Sequence, residues 1–424
     1  MQSRKASLAI FGVFFFESSV LGQWIPRIPD IKNALGLSDG SLGLALLMMP
    51  LGTLIGFSVA GRIVEWSGLR NACRIFLPLW AILFVGPALA ATFLQLSVAL
   101  ILSGLAIGMI ETAMNTEAAR IERVAGKRLM SRCHGFWSLG TMFGALMGGA
   151  LAQAGFSVSM HFLLVMPLIA LCGYLAATAL PRLGGRPYGV SAEDAAWTGD
   201  QDRLAEAALA EESGLTPKEP RLPELADDGA GAGLFTLPSS AMVLLCLMPL
   251  GIMMVEGAFI DWSAVFMRDV LAAGPLVIAV AYSSFSLVMA AVRLSGDWLA
   301  TRYGDELIVK VSGLAACVGI TMFALAPSTP WAFVAAALSG AGVAIVFPLA
   351  VSAAANRPGR SSAGNVASLN MISFSAFLVA PPVIGFVSEL LGLRIALLCL
   401  APLAFLTFLL AGEVAGKRPQ TSIR

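Results

Sequence analysis

Four carboxylates stand inside long apolar runs of this 424-residue chain: Glu17, Glu111, Glu256 and Asp261. An ionised carboxylate at the middle of a bilayer costs on the order of 2.5 to 3.5 kcal/mol on insertion scales, so such residues are candidates for moving a proton. Away from any cation the neutral form is favoured in hydrocarbon, and water reaching the group from one side favours release. A carboxyl alternating between those surroundings is a proton carrier. The plainer reading is a neutral carboxyl hydrogen-bonded to a neighbouring helix. Asn115 lies one turn beyond Glu111 on the same helical face, and Glu17 shares a face with Trp24. No Lys or Arg is expected at the depth of these acids, because Arg293 falls near one end of its apolar run. Glu117 and Glu122 approach the cytoplasmic end of their helix and read as headgroup or loop partners of Arg120 and Arg123.

Composition says what must hold these residues. The chain is 58% hydrophobic and 12% charged, against about 25% charged in soluble proteins. Unbroken runs such as Val98 to Ile110 and Ala332 to Ala355 exclude the alternating pattern of a transmembrane barrel, and a soluble enzyme with it. Candidate spans fall at 8–27, 41–64, 73–92, 94–119, 133–155, 159–180, 238–267, 275–299, 307–326, 330–354, 364–390 and 392–412. The expected fold is all-α integral membrane, with 12 transmembrane helices in two pseudo-symmetric six-helix bundles. An N-terminal bundle occupies 1–180, an acidic linker 181–237, a C-terminal bundle 238–412 and a tail 413–424. Basic loop residues gather on one side, as Arg62, Arg70 and Arg74, then Arg120 to Arg132, Arg302, Lys310, Arg357, Arg360, Lys417 and Arg418. The opposite loops hold Arg27, Lys32, Arg268 and Arg394. The positive-inside rule therefore places both termini in the cytoplasm and the chain in a bacterial-type inner membrane. The first run has the basic start and apolar stretch of a signal peptide but no A-x-A site, and is read as a retained helix.

Several chemistries are excluded. A net charge of +1 without a basic stripe gives no footprint for nucleic acid. The six cysteines are scattered singly and read as small buried hydrophobes, and neither HExxH nor a Walker motif occurs. No metal or other cofactor is expected. His134 opens the fifth span, where it either senses pH or bonds a backbone carbonyl.

The two groups of six look like a repeat. Gly68 and Gly304 each close the second span of their half, 236 positions apart, and the same offset pairs His134 with Asn370. Trp24 and Trp262 match at nearly that offset. A six-plus-six repeat is the signature of a transporter whose pathway runs between two bundles. Trp24 and Trp262 are candidates for stacking on a solute ring, or else for the interfacial aromatic belt. Asn370, like Asn115, is a candidate to hydrogen-bond a polar solute. Gly140, Gly144 and Gly148 recur every fourth residue, which lets helices approach closely.

These features resemble the major facilitator superfamily, and within it the fucose permease-like branch. The family's loop motif between helices two and three corresponds to Gly61, Arg62, Glu65, Gly68 and Arg70, with Trp66 in place of the usual basic residue after the acid. The second half keeps Arg293, Gly296, Asp297, Arg302 and Gly304, with Thr301 where the acid belongs. Glu111-Thr112-Ala113-Met114-Asn115 resembles the branch's E-T-A-x-N segment, whose Glu is implicated in proton coupling. Glu256 to Trp262 resembles its E-G…W pattern, and Phe347-Pro348 its F-P motif. The acid this branch carries late in helix one aligns with Ile25, leaving Glu17 two turns earlier as the substitute. The resemblance implies that Arg62, Glu65, Arg70, Arg293, Asp297 and Arg302 form a cytoplasmic gate; Arg293 and Asp297 are equally i,i+4 partners in one helix. It further implies a monomer in the lipid bilayer moving a small polar, sugar-like solute in symport with protons. Proton-coupled efflux uses the same parts, and a non-transporting membrane sensor is the alternative of another class.

Overall fold

The computed structural model describes residues 2–126, 129–181, 239–240, 242–357 and 362–415. The acidic linker from 182 to 237 and the tail beyond 415 lie outside the described residues. Among the described residues all regular structure is helical. Twelve helices are long and apolar enough to cross a membrane: α1 Arg4–Ala34, α2 Asp39–Val64, α3 Leu69–Leu89, α4 Phe93–Ala125, α5 Met130–Gln153, α6 Val158–Thr178, α7 Val243–Val270, α8 Pro275–Gly296, α9 Asp305–Ala324, α10 Thr329–Ala355, α11 Ser368–Leu391 and α12 Leu393–Val414. Each overlaps one of the twelve expected spans.

The glycines at the ends of the second helices explain the repeat. Gly68 has φ 77° and ψ 150°, and Gly304 has φ 82° and ψ 149°. A left-handed φ that costs a side chain strain is open to glycine, and the same turn therefore carries the chain from α2 into α3 and from α8 into α9. Within the N-terminal half α1 packs on α5 and α2 on α4. A Cβ at Gly144 would overlap the Ser19 carbonyl, so this glycine is what lets α5 lie against α1. The expectation of close packing at Gly140 and Gly144 holds, since Gly140 likewise faces Ser18 and the Phe15 carbonyl.

The halves meet along two seams, α5 against α8 and α2 against α11. At the rim expected outside the membrane they are tied by charge. Lys32 Nζ lies 2.6 Å from Asp39 and 2.6 Å from Asp269. Asp30 accepts from Arg27 at 3.1 Å and from Arg268 at 3.0 Å. Ser388 donates to Asp39, while Glu389 accepts from Ser38 Oγ at 3.1 Å and the Gly40 amide at 2.9 Å. Of the four basic residues expected in the opposite loops, three, Arg27, Lys32 and Arg268, take part in this rim. Three cysteines depart from expectation: Cys172 and Cys399 are exposed on the helix surface, and Cys317 is half-buried.

Candidate transport site

A cavity of about 260 Å3 lies between the seams. From the N-terminal half it is walled by Leu21 of α1, Leu46 to Phe57 along α2, Ile107 and Glu111 of α4, and His134 and Trp137 of α5. The C-terminal half contributes Met253, Glu256, Gly257, Ile260 and Asp261 of α7, Arg293 of α8, Phe347 and Pro348 of α10, and Phe374 and Phe377 of α11. Three of the four carboxylates singled out by sequence, Glu111, Glu256 and Asp261, therefore face one space.

The fourth, Glu17, stands behind that wall. It is 3% exposed, and its Oε2 accepts from the Trp137 indole N–H at 2.9 Å. Trp80 donates to the Glu17 carbonyl at 3.2 Å from the other side. Trp137 thus presents its ring to the cavity and its N–H to a buried acid. Ile25, where the branch carries its acid, is fully buried in a short 3-10 turn between Trp24 and Ile28.

The largest departure from expectation concerns Arg293. It is not an inner-rim residue but a wall of the cavity, 3.0 Å from Glu256 Oε1. So one of the acids has a cation at its own depth. The guanidinium also donates to Ser138 Oγ of α5 at 3.0 Å and to the Ala344 carbonyl of α10 at 3.2 Å. That last acceptor is created by the F-P motif. Pro348 has no N–H to offer the carbonyl four residues earlier, which is Ala344, and the helix breaks there into Thr329–Val343 and Val346–Ala355. Arg293 takes the freed carbonyl. Its bond to Ser138, with Ser286 donating to the Ser138 carbonyl at 2.7 Å and Thr141 and Ser286 hydroxyls 2.8 Å apart, makes a polar bridge across the α5–α8 seam.

Other candidates are placed differently. Trp24 is 1% exposed and packs on Phe84, 5.5 Å between ring centroids, and Trp262 is fully buried, so neither faces the cavity or the lipid. The Asn115 amide donates to its own helix, to the Glu111 carbonyl at 2.9 Å, and Asn370 is half-buried; neither is among the cavity walls. Glu117 is 1% exposed rather than at a headgroup, while Glu122 caps the start of α5 by accepting from Leu129 N and from Met130 N at 2.9 Å. Among the gate residues, Arg62 and Arg302 are exposed, Gly61 has open space around it, and Arg70 reaches the carbonyls of Leu180 at 2.9 Å and Thr178 at 2.5 Å, tying α3 to the end of α6. The side chains of Glu65 and Asp297 lie outside the description. His134 is a cavity wall, with its ring edge-on to Phe14 at 5.6 Å. Sequence reasoning passed over Trp137; it sits one turn past His134 and one turn before Thr141 on the same face, and that i,i+3 and i,i+4 spacing was the available signal.

The arrangement, a charged cavity between two repeated bundles, is the layout of a secondary transporter. The Major Facilitator Superfamily model matches residues 7–377. The chain belongs to the major facilitator superfamily. It is 28% identical over 398 residues to the uncharacterized transporter y4wD of Sinorhizobium fredii, covering 94% of this chain and 95% of that one. It is 27% identical over 389 residues to the membrane protein MosC of Rhizobium meliloti, covering 91% and 84%. Among solved structures the nucleoside transporter NupG superposes with a TM-score of 0.65 at 14% identity over 97% of this chain and 100% of that one, a likeness of fold. The protein is a multi-pass integral membrane transporter of this superfamily.

Proposed function

We propose that this transporter couples protons to the movement of a small polar solute by alternating access, with the cavity between the halves as its binding site. The observation that carries the reading is that carboxylates from both halves, Glu111 on one side and Glu256 and Asp261 on the other, share one cavity with a single guanidinium, Arg293. A carboxylate buried there is costly while ionised, and binding a proton removes the cost. Glu17, held by Trp137, gives the solute a route to a further acid: a ring stacked on Trp137 alters the indole that donates to Glu17. Arg293 keeps Glu256 paired and braces α8 against α5.

Uptake by symport is the direction that the fucose permease-like motifs support, and those motifs also support a sugar-like solute. Exchange is favoured by a separate observation, that Glu111 and Asp261 stand where the solute itself would sit, so that solute and proton compete for the same groups. The loop charges support a plasma-membrane location with both termini in the cytoplasm. Proteoliposomes in weakly buffered medium with a pH dye outside test the reading. External alkalinisation on adding solute supports symport and acidification supports exchange, whereas solute flux with no proton movement refutes coupling.

A further inference from the structure

The cavity's charges do not balance, and the imbalance identifies the solute. Its titratable and charged groups are Glu111 and His134 on the N-terminal half, with Glu17 behind Trp137, and Glu256, Asp261 and Arg293 on the C-terminal half, with Tyr282 buried behind them. Arg293 has its charge paired with Glu256 and also donates to Ser138 and the Ala344 carbonyl. Among the described residues, Glu111 and Asp261 have no ion-pair partner, and Asp261, a cavity wall only 8% exposed, has no hydrogen-bond partner for its carboxylate either. A buried carboxylate that faces a cavity without a partner of its own is satisfied by a proton or by a positively charged ligand.

We propose that the solute is a small organic cation, an amine or quaternary ammonium with an apolar body, held between Glu111 of one half and Asp261 of the other. The inference rests on the reading of this cavity as the transport site and names what enters it. An anion would meet three carboxylates, and the one guanidinium in the cavity wall already has its charge paired with Glu256. A neutral polyol needs several converging hydrogen-bond partners, and the remaining walls are mostly apolar: Leu21, Leu46, Met49, Ile107, Met253 and Ile260. The aromatic walls suit a cation, because Trp137 and the cluster of Phe57, Phe347, Phe374 and Phe377 offer ring faces, whose quadrupole attracts positive charge. Placing one carboxylate on each half also makes the cation a bridge between them, so its binding favours the closed intermediate through which alternating access must pass. Since a proton and the cation neutralise the same two acids, each binds less well in the presence of the other.

The test uses three probes that share a benzene ring and differ in charge: benzyltrimethylammonium, benzyl alcohol and benzoate. Each is titrated calorimetrically into the purified full-length protein. Benzyltrimethylammonium is expected to bind at least about tenfold more tightly than benzyl alcohol, and benzoate not at all. Its affinity should fall as pH is lowered, because its own charge does not titrate and protons compete for the same carboxylates. Glu111→Gln and Asp261→Asn preserve shape, and each should remove most of the preference for the cation; unchanged melting temperatures confirm that both variants are folded. Equal or tighter binding of benzyl alcohol or benzoate overturns the proposal, as does cation binding that is indifferent to pH and to both variants. Proteoliposomes separate this inference from proton coupling. Charge-selective transport of benzyltrimethylammonium without proton movement leaves the inference standing and refutes coupling; proton movement driven by a sugar, with no cation selectivity, does the reverse.

Discussion

Replacing Arg293 by methionine is the sharpest structural perturbation available. The Arg293 and Glu256 side chains are only 13% and 9% exposed and 3.0 Å apart. Removing one member of such a buried pair costs about 3–5 kcal/mol, because the survivor is left uncompensated. The lost bonds to Ser138 and Ala344 contribute about 1 kcal/mol each on top of this. Replacing both members with groups of similar volume leaves no stranded charge, and such replacements are often close to neutral. Arg293→Met should therefore be the least stable variant, and Glu256→Gln with Arg293→Met should recover most of the loss. Unfolding by sodium dodecyl sulfate in mixed micelles, followed by tryptophan fluorescence, gives the free energies. If Arg293→Met lies within about 1 kcal/mol of wild type, as for an exposed pair, or if the double variant is no more stable than the single one, the placement of Arg293 in the cavity wall is wrong.

Three further outcomes follow from the same geometry. Gly144→Val pushes side-chain atoms into the Ser19 carbonyl and should destabilise the α1–α5 contact by about 1–3 kcal/mol, read by the same unfolding assay; wild-type stability would mean the helices are not in close contact. Lys32→Met removes the cation shared by Asp39 and Asp269, so a cysteine introduced at the cavity residue Ile260, in a background with Cys172 and Cys399 replaced by serine, should react several-fold faster with a membrane-impermeant thiol reagent applied outside. An unchanged rate speaks against this rim as a closure. Trp137→Phe keeps the ring and removes the donor to Glu17; the pH profile of transport should shift while solute affinity changes little, and an unmoved profile separates Glu17 from coupling.

The sequence made the membrane architecture legible because its signals are long: spans of roughly 20 apolar residues survive errors of a few residues at either end. Gly68 and Gly304 were legible for a local reason, since each occupies a backbone conformation that glycine favours. The cavity's carboxylates were legible because charge in an apolar run is conspicuous. Arg293 was misplaced for a geometric reason. The helix that carries it runs 29 residues, Pro275–Tyr303, or roughly 43 Å at 1.5 Å per residue, longer than the ~30 Å hydrocarbon core. Its side chain leans toward the helix N-terminus, as all helical side chains do, and so reaches back toward mid-membrane. The tryptophans show the opposite limit: offset alone made Trp24 and Trp262 look matched, but only three-dimensional packing decides whether an indole meets a cavity, as Trp137 does, or a neighbouring ring.

The central claim is that solute and proton movement are linked through Glu111. The direct measurement is internal pH in proteoliposomes during uptake of the solute that most stabilises the purified protein in a thermal-shift screen of sugars, polyols, nucleosides, organic acids and amines, since a ligand stabilises the state it binds. With wild-type protein, solute uptake should change the internal pH, and Glu111→Gln should abolish that change even when the solute concentration is raised to offset weaker binding. Solute uptake by wild type without any pH change, or an undiminished pH change with Glu111→Gln, would contradict it.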